Sequence, residues 1–298
     1  GIFLQRSSIP EYIGITTKPY VNIGRMRNSG WDSSLQYDQK IGQVNFSAMG
    51  NFTFARNVIE DQDQPDYIEK YMNRTGQARW QTFGYVSDGL FKDEADIATS
   101  PDQSALGEVR PGDIKYKDLN NDGVIDSKDV KAIGYTDVPE IVYGFGVSAQ
   151  WKGFDVSVFF QGNAHVSFSI NSSMVRGFTE PKMAANNVFS DIYGNYWTES
   201  NTDAKYPRLT TTEATNNNQS SDFWLVNGRY IRLKNAEFGY TFPKRLIQKM
   251  RLSQLRVFVS GTNLLTFAPF KLWDPDLQTG ASNYPNTRVA NIGLNIGF

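Results

Sequence analysis

With 298 residues, 40% of them hydrophobic and 20% charged, and with 30 lysines and arginines against 31 aspartates and glutamates, the chain has the profile of a folded protein. Its near-neutral balance, without a basic block, argues against a nucleic-acid binder. The absence of cysteine and a single histidine, His165, exclude disulfide scaffolds, thiolate metal centres, cysteine nucleophiles and multi-histidine sites. No apolar run reaches the ~18 to 20 residues of a membrane-crossing helix, which leaves membrane β-barrels open.

The chain opens GIFLQRSSIP, with neither a starting Met nor a basic and then apolar leader, and is expected to be a piece of something longer. Residues 1 to about 14 are expected to be the outer end of an earlier strand, and Thr16 to Ser29 an external loop. Period 2 then takes over. Trp31, Ser33, Leu35 and Tyr37 oppose Asp32, Ser34, Gln36 and Asp38. Val44, Phe46, Ala48, Gly50, Phe52 and Phe54 oppose Gln43, Asn45, Ser47, Met49, Asn51 and Thr53. This predicts strands over 30–40 and 42–56.

A long connection, 57–139, follows, and it holds the one strong local motif. Asp118, Asn120, Asp122, Val124, Asp126 and Asp129 fall at positions 1, 3, 5, 7, 9 and 12 of a twelve-residue loop, with Gly123 at position 6. Calcium takes six to eight hard oxygens, and this spacing supplies them in the manner of an EF-hand, the backbone carbonyl of Val124 included. Asp at position 12 is shorter than the usual Glu, which favours the dockerin variant of the loop. The plainer alternative is a solvated acidic turn. Calcium is expected here as a structural ion that replaces a missing apolar core by stabilising the folded form alone.

Beyond it, Tyr143, Phe145, Val147, Ala149 and Trp151 alternate with Gly144, Gly146, Ser148 and Gln150, predicting a strand over 140–151. From Phe154 the even positions run Val156, Val158, Phe160, Gly162, Ala164, Val166, Phe168 and Ile170, against mostly polar odd positions interrupted by Phe159. Read as one strand over 154–170, this is about three times the usual ~5 to 6 residues. After a second long connection, 171–227, a strand over 228–242 changes phase, which predicts a bulge near Lys234 to Ala236. Strands over 254–267 and 288–298 complete the set, with Phe258 as an exception on a polar face.

Connections alternate in length. Those around Ile41, at Lys152 and Gly153, and over Pro243 to Ser253 are short, the last with a helical turn; 57–139, 171–227 and 268–287 are long. Short turns at one end and long loops at the other, with Trp31, Tyr37, Trp151, Phe154, Phe242, Phe267 and Phe298 near strand ends, match an outer-membrane barrel with periplasmic turns, extracellular loops and aromatic girdles. A soluble sandwich, whose strands also alternate, is the competing architecture.

At this point the residues resemble the C-terminal part of the SusC/RagA family of TonB-linked outer-membrane receptors of Bacteroidota. The resemblance rests on GDIKYKDLNNDGVIDSKD, YGFGVSAQWKGFDVSVFFQG, YWTESNTDAKYPRL, SDFWLVNGRYIRLKNAEFGYTFPKRL, LRVFVSGTNLLTF and NIGRMRNSGWD. It implies an all-β, transmembrane antiparallel barrel of 22 strands, of which this chain would supply about seven to eight with their long extracellular loops, in one C-terminal portion over 1–298. It implies a plug and further N-terminal strands outside this chain, a TonB complex that energises uptake, a SusD-like surface lipoprotein as partner, and import of oligosaccharides or peptides. The last strand, 288–298, resembles the barrel-assembly signal through Phe298. Edges left open in lipid would strand unpaired backbone groups, so membrane lipid and the remaining strands are both expected partners.

No catalytic constellation, phosphate loop or dinucleotide fingerprint occurs, and the chain is expected not to be an enzyme. Tyr196, Trp197, Tyr206, Trp224 and Trp273 are expected to pack loop on loop rather than stack on sugars. His165 is expected to be hydrogen-bonded on the polar face. The alternative function is a soluble or surface β module, stabilised by calcium, that binds carbohydrate without transport.

Overall fold

The computed structural model describes residues 2–5, 9, 11–14, 16–176, 188–280 and 283–298. Eight strands form one sheet whose order follows the chain: β1 (Ile2–Gln5), β2 (Tyr20–Ile41), β3 (Val44–Asp61), β4 (Ile141–Trp151), β5 (Phe154–Ala164), β6 (Tyr230–Thr241), β7 (Gln254–Phe267) and β8 (Val289–Gly297). Such a meander is the topology of an up-and-down barrel wall. Strands β4 and β5 have 11 residues each, β6 12 and β7 14, enough to cross a bilayer at a tilt. No helix among the described residues is long and apolar enough to do so.

Register turns the sequence alternation into two faces. Phe46 pairs with Ala149, Ala149 with Val156, Val156 with Phe238, Phe238 with Val259, and Val259 with Ile292, one apolar ladder across six strands. One residue along, Ser47, Ser148, Ser157, Glu237, Ser260 and Asn291 make the matching polar ladder. Adjacent ladders face opposite ways because successive strand residues do. Nothing among the described residues covers the apolar face: Val156, Phe238 and Val259 are exposed, and Ile292 is 84% exposed. A patch of this extent is not sustained against water, so its solvent is hydrocarbon.

The two aromatic exceptions have a steric cause. On the polar face, Phe159 lies over Gly144 and Gly146, where a Cβ would approach its ring to 2.8 and 2.9 Å; Phe258 covers Gly293 in the same way at 2.1 Å. Each ring fills space that a neighbouring glycine leaves open. The expected bulge is present: pairing shifts between Leu233 and Asn235 on both sides of β6, and Lys234 is the extra residue towards β5. That shift lets Leu233 and Phe238, of opposite parity, share the apolar face. At the short end, Lys152 (φ 47°) and Gly153 (φ 92°) close the hairpin between Trp151 and Phe154, both in the left-handed region that a tight two-residue turn requires.

Two strand expectations are corrected. The stretch Thr16 to Ser29 is not a loop throughout, since β2 already starts at Tyr20 and pairs there with β1. Asn22, Arg25, Arg27 and Asn28 show no lipid alternation, so a strand that continues past the apolar band carries no sequence signal. Conversely, the run over 154–170 is not one strand. It breaks at His165 (φ 53°), and Ser167–Ser169 pairs antiparallel with Leu225–Asn227 in a separate two-stranded sheet. Val166, Phe168 and Ile170 are apolar because they are buried, at 1%, 2% and 6% exposure, and not because they face lipid.

Contacts divide the chain into two compact units, one of residues 30–55, 139–166 and 228–298, the other of 1–29, 56–138 and 167–227. The first contains the later part of β2, β3 as far as Ala55, and β4 to β8. The second contains most of the conventional core: Phe91, Ile114, Tyr116, Ile125, Phe168, Ile192 and Trp224 are each at most 2% exposed. Small sheets tie it together, Phe83–Gly84 with Lys131–Ala132 and Ser87–Leu90 with Ile114–Tyr116.

Candidate functional site

The loop at 118–129 is wound by its own amides. Asp118 accepts hydrogen bonds from Asn121 N (2.6 Å) and Gly123 N (2.7 Å), which draws the backbone into left-handed conformations at Asn121 (φ 61°) and Gly123 (φ 84°). Asp122 accepts from Val124 N at 3.1 Å, and Asp126 caps the short 3-10 turn Ser127–Asp129. Asp129 is fully buried, its two oxygens accepting from Leu119 N (2.8 Å) and Asp126 N (2.9 Å). Val124 forms a parallel bridge with Asp102, whose carbonyl accepts from Ile125 N at 2.8 Å.

Positive charge at the loop comes from Lys128, whose Nζ lies 3.2 Å from Asp122 and 3.3 Å from Asp126. Hydrogen bonds from the Asn120 side chain, Val124 N and Lys128 hold the Asp122 carboxyl below the usual carboxylate range. Asp122 and Asp126 in turn raise the Lys128 ammonium. The donor types suit calcium, and a carboxylate oxygen that accepts one amide retains further acceptor capacity. Their arrangement is not a coordination shell: among the described residues no three Asp, Glu, His or Cys groups converge to hold an ion. The structure brings Asn120 to within 2.9 Å of Asp122 and joins Asp122 to Asp126 through Lys128, while Asp129 is committed to backbone.

Sequence reading missed a buried polar network in the same unit. Gln103 donates to Asn216 Oδ1 (2.9 Å) and accepts from Tyr116 N (2.7 Å). Asn217 accepts from Ile114 N (2.8 Å) and donates to Asp113 Oδ1 (2.8 Å). Arg208 closes on Asp113; its Nε lies 2.8 Å from Oδ1 but off the hydrogen-bond line, and Nη2 makes the directed contact at 3.2 Å. No local motif announces partners about 100 residues apart. Loop aromatics bond within their own connections: Trp224 is 1% exposed and donates to Asn217 O, and Tyr206 donates to Asp191. Trp273 donates to Gln278 O and meets Phe270 edge to face.

The polar face of the sheet carries two ion clusters. Arg256 on β7 reaches across Gly239 on β6 to Asp155 on β5, with Nε 3.1 Å from Oδ1, and also binds Glu237. A Cβ at Gly239 would lie 2.5 Å from Arg256 Nη2 and 2.7 Å from Asp155 Oδ2, so this glycine clears the crossing. Arg232, 2% exposed, binds Asp274 and Asp276 from the 268–287 connection, and Tyr230 donates to Asp276 at 2.8 Å. This pins the connection onto the polar face beside a cavity of about 430 Å³ lined in part by Asn263, Lys271 and Arg288. His165 lies 3.1 Å from Glu140 through Nδ1, hydrogen-bonded as expected. Phe298, just past β8, is 94% exposed.

An up-and-down sheet with one polar face and one bare apolar face is a segment of a transmembrane antiparallel β-barrel wall. Comparison with known proteins gives the same class. TonB-dependent receptor P3 of Formosa agariphila is 28% identical over 320 residues, covering 97% of this chain and 30% of that protein. TonB-dependent receptor P26 of the same organism is 26% identical over 98% of this chain and 31% of its own length. The chain thus spans about 30% of the length of the curated relatives it matches. Among solved structures, the RagAB peptide importer in its open-open state aligns with a TM-score of 0.69 at 20% identity, covering 100% of this chain and 31% of the other. Its closed-closed state gives 0.68 at 23% identity over 97% and 31%. No family model matches the chain. The chain is thus similar in sequence to TonB-dependent receptors, and its fold is similar to that of the RagAB structures.

Proposed function

We propose that the chain supplies part of the barrel wall and extracellular loops of an outer-membrane TonB-dependent importer, which works with a SusD-like lipoprotein, takes up peptides or oligosaccharides, and is energised through TonB. The observation that carries this reading is the pair of adjacent ladders, one apolar and uncovered, one polar, running across six strands. Phe298, which follows the last strand, is proposed as the barrel-assembly signal. Calcium is proposed as a structural ligand of the 118–129 loop, taken up when Lys128 swings away from Asp122 and Asp126. The test uses the full receptor: detergent should be needed to extract it, a lipoprotein should copurify, and its deletion should abolish uptake while surface hydrolysis of the nutrient continues. A detergent-free monomer that keeps its ligand would instead establish the soluble carbohydrate-binding module.

A further inference from the structure

The turn between β6 and β7 differs from the other short connections in charge. Residues Lys244 to Arg251 read KRLIQKMR, four cations without a carboxylate. The backbone there is a helical turn, Lys244–Ile247, continued by a 3-10 turn, Gln248–Met250, and ended by Arg251 in the left-handed region (φ 58°). Ile247, 2% exposed, anchors it. Leu246 and Met250, four apart and therefore on one side of the turn, stand 61% and 64% exposed. Lys244, Arg245, Lys249 and Arg251 are exposed, and none has an ion-pair partner among the described residues. Two carboxylates at this end of the polar face, Asp155 and Glu237, are already engaged by Arg256.

The strands entering this turn carry an aromatic band on the apolar face. Phe154 meets Tyr240 with ring centroids 4.5 Å apart, and Tyr240 meets Phe242 at 5.0 Å. In the adjoining hairpin, Lys152 Nζ sits 5.1 Å from the ring of Trp151, itself 48% exposed. Aromatic rings of this kind mark the level of the headgroups, where cationic side chains reach phosphate and apolar ones reach the acyl chains. Unpaired cations, two exposed apolar side chains and an aromatic band at one level complement an anionic amphiphile. They do not complement a soluble anion, which would leave Leu246 and Met250 in water.

We infer that the 244–251 turn is a binding site for anionic phospholipid on the short-connection side of the membrane, its cations holding the headgroup phosphate and Leu246 and Met250 entering the acyl boundary. Each basic residue near an anionic surface is worth about fivefold in binding, so removing four should weaken lipid selection by at least about tenfold after screening.

The test reconstitutes the full receptor in vesicles of equal phosphatidylglycerol and phosphatidylcholine, extracts it gently, and counts retained lipids by native mass spectrometry. Wild type should retain phosphatidylglycerol well above its bulk share, less so as salt rises. K244Q/R245Q/K249Q/R251Q should return to the bulk ratio, and K244R/K249R should not. L246S/M250S should retain fewer lipids of both kinds with the preference intact. If the quadruple variant fails to give a heat-modifiable folded band, the pairs K244Q/R245Q and K249Q/R251Q are tested separately, each losing about half the logarithmic preference. Retention at the bulk ratio by wild type, or an unchanged preference in the neutralised variants, overturns the proposal. So does an acidic protein captured by the turn in place of lipid.

Discussion

Val147 and Ser148 are chain neighbours that the register assigns to opposite solvents, so replacing each by arginine weighs the two faces directly. Val147 lies four residues from Trp151, where β4 turns. At ~3.3 Å per residue and a tilt of ~40° it stands ~10 Å above the turn, close to the middle of an apolar band ~25 Å tall. Arginine at that depth costs about 2 to 4 kcal/mol, a shift of roughly 30- to 700-fold in the folding equilibrium. Ser148 instead lines a polar cavity of about 550 Å³ together with Ser157, Gln150 and Arg256. Arginine there stays hydrated and should cost under about 1 kcal/mol. Equilibrium unfolding of the full receptor in vesicles, followed by tryptophan fluorescence and by heat-modifiable gel migration, separates the two. A tolerated V147R beside an S148R that loses 2 kcal/mol or more would show that the faces are reversed and would refute the assignment.

Gly239→Ala should disturb the Arg256 to Asp155 crossing and lower thermal stability by about 1 to 3 kcal/mol, whereas Gly50→Ala, whose Cβ would meet only Gly144 O at 3.8 Å, should cost less. Calcium should raise resistance of the 62–140 connection to protease in the full receptor. Titration calorimetry that finds no heat dependent on Asp118 and Asp122 removes the calcium proposal, and K128M should tighten binding by freeing those carboxylates. The Lys115 hydrogen bond, helped by Lys92 N, holds Asp96 below the ordinary carboxylate range. A depressed folded-state value contributes stability that is present above the unfolded pKa of ~3.9 and lost as pH falls through the lowered one. D96N should therefore flatten the acid limb of a proteolysis profile measured between neutral pH and pH 3. Asn217→Ala strips partners from Ile114 N and Asp113 Oδ1, two buried groups at about 1 to 3 kcal/mol each, and should expose the second unit to protease while leaving the barrel band unchanged.

What the sequence made legible follows from how strongly the surroundings dictate residue type. Between Val44 and Phe54, or Phe154 and Ala164, every second side chain meets hydrocarbon, so polarity is fixed position by position. Tyr20 to Ser29 are strand under no such demand, and the pattern vanishes although the pairing continues. Val166, Phe168 and Ile170 kept the pattern for another reason, burial, and so extended a strand that breaks at His165. Spacing likewise suggested a calcium-type donor set but not that Lys128 reaches back to Asp122 and Asp126, because a side chain's reach leaves no trace in loop spacing. The Gln103, Asn216, Asn217 and Asp113 network was invisible because Gln103 and Asp113 lie about 100 residues from Asn216 and Asn217 and each looks like an ordinary surface residue alone.

These contrasts separate two ways of being stable within one chain. The sheet needs no apolar core: lipid takes one face, and ladders of backbone hydrogen bonds hold the strands whatever the other face carries, which is why glycine, serine and asparagine are tolerated opposite valine and phenylalanine. The second unit buries its own surface, and a connection as long as 62–140 brings many backbone groups inside with the apolar ones. Buried amides such as Asn216 and Asn217 answer that need, since each offers both donor and acceptor to backbone with no regular partner. Substitutions on the sheet should thus be judged by which face they alter and at what depth, and those in the loops by which backbone group they leave unpaired.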